Sequence, residues 1–142
     1  MPTEKPKVLI AEVASVVPVV EAAWGGYFNL TYCTTMSEAL QLLQEPFDVI
    51  VCGTHFADSH MFDLLRHAKA TSQSRDIPFL CIRVSDGELD ATAFQSISMA
   101  ATAMAAAGFV DLNRWRREYG FEEARIRLRQ LVFDLAGADH LA

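Results

Sequence analysis

Short apolar runs divide the chain at intervals, and each has the length of a β-strand. Lys7–Ala11, Phe47–Cys52 and Phe79–Ile82 are nearly free of polar residues. Runs of this kind are typical of strands that are covered on both faces, as in a parallel sheet. Asn29–Thr34 is more polar and predicts a weaker second strand, and Phe109–Leu112 predicts a short fifth strand.

Helical patterns fill the first intervals between these strands. Val16–Trp24 predicts a first helix, with Ser15 as its cap and Gly25-Gly26 at its end. The segment Thr35–Glu38 has the form of a capping box, so it predicts the start of a second helix. Pro46 ends that helix, because proline cannot continue one.

Three further helices are predicted in the rest of the chain. Asp58 or Ser59 caps the third, and a second capping box, Ser85–Glu88, opens a long fourth helical region that Gly108 ends. The last helix runs from about Phe121 to Ala136. Its predicted core-facing positions are Phe121, Ala124, Leu128, Leu131, Val132 and Leu135.

Strands that alternate with helices predict a parallel sheet with helices on both faces. No linker, repeat or low-complexity tract divides residues 1–142. We therefore expect one α/β domain, with a core from about residue 6 to residue 136.

Charge and composition argue against several functions. The 142 residues carry a net charge of −6, whereas a nucleic-acid binder needs a basic face. No apolar run reaches the roughly 18–20 residues that cross a bilayer, and the first residues do not form a signal peptide. We therefore expect a cytoplasmic protein that binds neither nucleic acid nor membranes. Cys33, Cys52 and Cys81 lack the spacing of a zinc site and are expected to be buried thiols.

The order and spacing of these elements resemble the receiver domain of bacterial two-component response regulators. The resemblance covers roughly residues 6–136, and Asp48–Gly53 followed by Phe62–Arg66 is the most similar stretch. The fourth strand, entered through Ile77-Pro78, is also typical of the family. The resemblance implies a flavodoxin-like fold, a doubly wound five-stranded sheet with strand order 2-1-3-4-5.

Receivers transfer a phosphoryl group from a histidine kinase to their own aspartate, and the resemblance implies where each part of that site would lie. The metal-binding acidic pair falls on Glu12 and Val13, the nucleophile on Gly53, and the switch hydroxyl on Arg83, near Ser85. The phosphate-binding lysine falls near Leu112, but the chain has no lysine after Lys69. Only one acid remains, and glycine cannot accept a phosphoryl group.

The loss of three parts of one site indicates a pseudo-receiver that is not an enzyme. By comparison with the family, Arg83–Gly108 and Asn113–Gly120 are both longer than expected. Both segments lie on the face that receivers use for partner binding and dimerisation. The candidate partner face is Met99, Met104, Phe109, Arg114, Trp115 and Tyr119. The alternatives for these residues are core packing for the methionines and a solvated loop around Trp115.

A second group of polar residues follows the third strand, where open α/β sheets bind ligands. His55, Asp58 and His60 lie there, and Glu12 would face them across the crevice. The preferred interpretation of these residues is an ordinary polar surface loop, and the alternative is a metal site with nitrogen and oxygen ligands. We therefore predict no metal and no cofactor.

Two functions remain open from the sequence. The first is a phosphorylation-independent protein-interaction module of a two-component-type system, acting on a protein partner or as a homodimer through the fourth helix, fifth strand and last helix. The alternative is a sensor of a small ligand, anion or metal in the crevice. Its candidate ligands are Glu12, His55, Asp58, Arg83 and Ser85.

Overall fold

A computed structural model describes residues 5–85 and 87–137 and contains one five-stranded parallel sheet in the order β2-β1-β3-β4-β5. The predicted sheet and its strand order are confirmed. The strands are β1 Lys7–Ala11, β2 Asn29–Cys33, β3 Val49–Gly53, β4 Phe79–Arg83 and β5 Gly108–Asp111. The described part of the chain contains no helix long and apolar enough to cross a membrane.

Seven helices lie in the described part of the chain, two more than the sequence pattern predicts. They are α1 Val17–Trp24, α2 Met36–Leu42, α3 Phe56–Ser59, α4 Met61–Ala70, α5 Ala91–Ala103, α6 Leu112–Tyr119 and α7 Phe121–Leu135.

The two faces of the sheet carry separate apolar layers, because successive side chains of a strand point to opposite faces. Leu9, Ile50 and Cys81 lie in one layer, against α2, α4 and α5. Ile10 and Val51 lie in the other, against α1 and α7. Glu12 and Gly53 lie two positions after Ile10 and Val51, so the same alternation places them on the α1–α7 face.

The capping box at α2 and the end of α1 at Gly25 are confirmed, and the other predicted N-terminal caps are wrong. The Thr35 hydroxyl accepts a hydrogen bond from the Glu38 backbone N–H at 3.2 Å, and the Glu38 carboxylate accepts one from the Thr35 N–H at 3.3 Å. Val16 occupies the cap position of α1 in place of Ser15. His60 occupies that of α4, because Phe56–Ser59 already form α3 in front of it.

The segment predicted to open the long fourth helix is a loop for most of its length. Helix α5 begins only at Ala91, where the Asp90 carboxylate accepts a hydrogen bond from the Ala93 N–H at 2.8 Å. Gly87 has φ 89° and its carbonyl accepts hydrogen bonds from two side chains, so its backbone is not available to a helix. Asp86 of the predicted capping box lies outside the described residues.

The segment Asn113–Gly120, for which a solvated loop was the preferred interpretation, forms helix α6 and a sharp turn. Gly120 has φ 84°, a conformation that favours glycine, and it joins α6 directly to α7. The turn leaves Phe121 73% exposed, with the Arg116 guanidinium 5.0 Å from its ring centre. The prediction that Phe121 faces the core is therefore wrong, whereas Ala124, Leu128 and Val132 are buried as predicted.

Candidate functional site: the Glu12–Gly53 pair, a polar crevice and two surface grooves

The centre of the site is the pair Glu12 and Gly53. Glu12 directly follows β1, and Gly53 is the last residue of the neighbouring strand β3. The register pairs Ala11 with Cys52, so the next residues of the two strands lie side by side. A Cβ atom added to Gly53 would lie 2.0 Å from Glu12 Oε2 and 2.2 Å from Glu12 Oε1 and Cδ. The Glu12 carboxyl group therefore fills the space into which a side chain at position 53 would project.

The Glu12 side chain is almost completely removed from solvent, with the residue 5% exposed. Its Oε1 accepts a hydrogen bond from the Val13 backbone N–H at 2.9 Å, and within the described ranges no other donor contacts this carboxyl group. Burial raises the pKa of Glu12, and the hydrogen bond from Val13 offsets part of that rise. Val13 donates this hydrogen bond from its backbone, and its apolar side chain adds no second carboxyl group to the site.

Arg83 and Asp111 form an ion pair at the ends of β4 and β5. They are partners in the parallel register, and Arg83 Nη1 lies 3.1 Å from Asp111 Oδ1. The two side chains are 11% and 1% exposed. The same Nη1 donates to the Gly87 carbonyl, which ties the loop after β4 to the end of β5.

The resemblance to receiver domains implies a lysine position near Leu112, and Asp111 is not among the predicted site residues. Leu112 begins α6 and is buried in the apolar layer, so it contributes no charge to the site. The sequence does contain one signal for Asp111, which is an isolated acid at the end of an apolar run. Its partner, Arg83, lies 28 residues earlier, and sequence spacing alone could not join them.

A polar crevice lies beside Glu12 and connects the loops after β1, β3 and β4. Its volume is about 360 Å³, and it is lined in part by Glu12, Val13, His55 and Ser85. His55 Nε2 lies 3.1 Å from Ser85 Oγ, so these two predicted residues do meet. Thr54 Oγ1 also lies in this region and is buried, and it has no hydrogen-bond partner among the residues that the structure describes.

The remaining predicted crevice residues lie elsewhere. Asp58 is exposed on α3, where Ala57, Asp58 and Ser59 have φ of 50°, 59° and 68°. Left-handed backbone costs roughly 1–2 kcal/mol for each such residue, so this turn is strained. Arg83 is held by Asp111 beside the crevice. Over residues 5–85 and 87–137, no group of three His, Cys, Asp or Glu residues is arranged to hold a metal ion.

The predicted partner face divides into two grooves. In the first, called the α5 groove, Met99 is 65% exposed and Arg114 places its guanidinium 4.2 Å from the ring centre of Phe94. The Phe94 ring lies 5.6 Å from that of Phe109. Phe109 and Met104 are partly buried against the core and support this surface from beneath.

The second groove, called the α6–α7 groove, contains the other two predicted partner residues. The Trp115 and Tyr119 rings are 6.3 Å apart, and Arg127 lies 4.0 Å from the ring centre of Tyr119. Trp115 also packs against the apolar layer, so it serves the core and the surface together. The two grooves lie on either side of α6, since Arg114 faces one and Trp115 faces the other.

No family model matches the chain, and no curated protein matches its sequence. Solved structures are similar to it over nearly the whole chain. The receiver domain of sensor histidine kinase PA1611 from Pseudomonas aeruginosa PAO1, which has a magnesium ion in its active site cleft, matches with TM-score 0.69 and 14% identity over 94% of this chain and 99% of that one.

Two further receiver structures match to a similar degree. The HemR receiver domain from Leptospira biflexa has TM-score 0.63 and 20% identity over 97% of this chain and 99% of that chain. The chemotaxis response regulator CheY4 of Vibrio cholerae has TM-score 0.66 and 17% identity over 92% and 99%. The protein has the fold of the response-regulator receiver domains, as the order of its strands and helices predicted.

Proposed function

We propose that this protein is a cytoplasmic signalling module of a two-component-type regulatory system that works by binding other proteins, without phosphorylation and without catalysis. One observation carries the proposal: the buried Glu12 carboxyl group fills the space above Gly53. A receiver needs a reactive carboxylate at this point, and a second acid beside it to help hold magnesium. Here one carboxyl group remains, and it takes the space of the missing one.

The Arg83–Asp111 ion pair supports the same proposal. In receivers the ends of β4 and β5 carry the hydroxyl group and the lysine that respond to the phosphoryl group. Here the two strand ends are joined directly by a buried ion pair. Breaking such a pair leaves a buried charge without compensation, so the two ends are held in one arrangement.

The α5 groove and the α6–α7 groove are the surfaces we assign to partner binding. Both combine exposed apolar side chains with arginines that lie on aromatic rings, and Trp, Tyr and Arg are the residues that most often dominate protein interfaces. The partner is a protein of a signalling pathway or a second copy of the chain. Nucleic acid and membranes are not part of this proposal.

Phosphorylation independence is tested with acetyl phosphate, or beryllofluoride, in the presence of magnesium. We expect no covalent phosphoryl adduct by intact mass and no change in the amide NMR signals of Glu12, Gly53 and Arg83. A phosphorylatable receiver domain treated alongside shows that the reagents are active. A phosphoryl adduct on the wild-type chain, or saturable shifts at these three residues, contradicts the proposal.

Partner binding is tested by sedimentation velocity and by pull-down with the wild-type chain and with Met99→Glu and Tyr119→Ala. We expect self-association or partner capture, and at least one of the two variants to abolish it. Gln41→Glu is the matched control, because Gln41 is exposed on α2, away from both grooves. The proposal fails if the wild-type chain binds nothing at physiological concentration, or if both variants bind as the wild type does.

A second candidate is ligand sensing in the polar crevice, and Thr54 favours it. A buried hydroxyl without a partner costs free energy that a bound group with a hydrogen-bond donor or acceptor would recover. Inorganic phosphate and magnesium are the first probes. A rise in melting temperature that depends on their concentration, and that His55→Ala removes, would support this function. An unchanged melting temperature with both probes would eliminate it for these ions.

A further inference from the structure

A separate cavity lies on the other side of Glu12, between α1 and α7. Its volume is about 240 Å³, and it extends over the carboxyl ends of the central strands. Its walls are almost entirely apolar. Residues of the sheet, α1 and α7 that line it include Ile10, Val51, Val20, Trp24, Phe121 and Leu128.

The cavity has one polar end, formed by the Glu12 carboxyl group beside Gly53. Glu12 is 5% exposed, and its Oε2 has no hydrogen-bond donor among the residues that the structure describes. The charged groups at the rim are already engaged. Arg125 pairs with Glu122, and Arg116 lies over the ring of Phe121.

Two exposed apolar side chains also line the cavity, beside the charged groups at its rim. Val19 is 55% exposed and Phe121 is 73% exposed. Helix α1, with the sequence VPVVEAAW, contains a single charged residue. An isolated exposed apolar side chain needs no explanation, but here two of them adjoin an apolar cavity that ends at Glu12 Oε2.

We propose that this α1–α7 cavity binds a small, mainly apolar molecule that carries one hydrogen-bond donor, and that Glu12 Oε2 accepts that hydrogen bond. An apolar cavity of about 150 Å³ is enough for benzene, so this larger cavity suits a two-ring aromatic molecule. A donor on the ligand suits the carboxyl group, which keeps an acceptor oxygen in both of its protonation states. This inference does not depend on the proposed protein-binding role.

Indole and indene are matched probes for the test, because they have the same shape and only indole has an N–H donor. Titrations followed by amide NMR and calorimetry should give saturable shifts at Val20, Ala23 and Gly53, with indole binding about tenfold more tightly than indene. The Glu12→Met variant removes the acceptor and keeps the length of the side chain. We expect it to reduce the affinity for indole to that for indene.

Ala23→Phe should block the cavity, since Ala23 lies on its α1 wall, and should abolish binding of both probes. Ala22→Phe is its control on the solvent side of the same helix and should bind as the wild type does. If Ala23→Phe does not fold, the comparison of the two probes on the wild-type chain still decides the matter. No saturable shifts around the cavity, or equal affinities for indole and indene, would overturn the proposal.

Discussion

Glu12 and Gly53 are complementary residues: the carboxyl group of the first occupies the volume that the second leaves empty. The Glu12 oxygens lie 2.0 and 2.2 Å from the position of a Cβ atom on Gly53. Any side chain at residue 53 must therefore displace Glu12 from its buried position. Conversely, loss of the Glu12 side chain would open space above Gly53. The two positions form one structural unit across β1 and β3.

This relationship predicts a strong dependence of one substitution on the other. Gly53→Ala should lower the free energy of unfolding by about 1–2 kcal/mol, because the new methyl group displaces a buried carboxyl group. In a Glu12→Ala background the same change should cost less, with a coupling energy of about 1 kcal/mol. Urea denaturation of the four proteins in the cycle measures this coupling.

Gly26→Ala is the control for the cycle, because a Cβ atom there would have no other atom within 4 Å. Its effect should stay within about 1 kcal/mol and should not depend on Glu12. Additive effects of Gly53→Ala and Glu12→Ala would show that the two side-chain positions do not compete for space.

Burial of Glu12 predicts a pH dependence of stability. Burial raises its pKa from the ordinary value of 4.5, so the folded protein favours the protonated form. The stabilisation that this residue contributes is complete below pH 4.5 and is lost as the pH rises through the higher pKa of the folded state. Above that pKa its contribution is constant.

Glu12→Gln keeps the shape of the side chain and cannot ionise. We therefore expect the variant to gain stability relative to the wild type as the pH rises from 4.5, and the difference to level off above the pKa of the folded state. Denaturation midpoints measured across this pH range test the prediction. A difference that stays constant with pH would mean that Glu12 titrates normally.

The buried ion pair between Arg83 and Asp111 predicts a large loss of stability when one partner is removed. Arg83→Met leaves the Asp111 carboxylate, which is 1% exposed, without its cation. We expect the free energy of unfolding to fall by about 3–5 kcal/mol. The double variant Arg83→Met, Asp111→Leu should recover part of this loss, since no charge is then left buried.

Arg66 provides the exposed comparison, because it pairs with Asp63 at 3.1 Å while 67% of its side chain is exposed. Arg66→Met should change stability by less than about 1 kcal/mol. Equal effects of the two arginine substitutions would argue against a fixed, desolvated link between β4 and β5.

The three cysteines should be unreactive in the folded protein. Cys33, Cys52 and Cys81 are each at most 2% exposed, and burial raises the pKa of Cys33 and Cys81 to about 12. The thiolate is the reactive form of cysteine. Burial keeps reagents away from the sulfur atoms, and a raised pKa keeps the fraction of thiolate low. Labelling with a thiol reagent should be slow in buffer and fast in urea. A Ser72→Cys variant, with its thiol on an exposed loop, should add one site that reacts rapidly.

Much of the fold was accessible from the sequence because its signals are local. Five apolar runs, separated by helical patterns and by capping or breaking residues, predicted the parallel sheet, and the resemblance to receiver domains implied its strand order. The α2 capping box was confirmed in detail. Predictions failed where local and tertiary preferences compete. Ser85–Glu88 resembles a capping box, but the Arg83 and Asn113 side chains hold Gly87 in a loop. The spacing between Phe121 and the core-facing residues of α7 predicted a buried position, yet the turn at Gly120 places Phe121 on the surface.

The candidate site shows the same division. The sequence alone determined that residues 13 and 53 are Val and Gly and that no lysine follows Lys69, since these identities need no coordinates. Only the tertiary structure decided which side chains meet around these positions. The contact of Glu12 with Gly53 and the pairing of Arg83 with Asp111 join residues 41 and 28 positions apart. Such contacts depend on strand register and burial, which arise when the whole chain packs and which no local pattern of residues encodes.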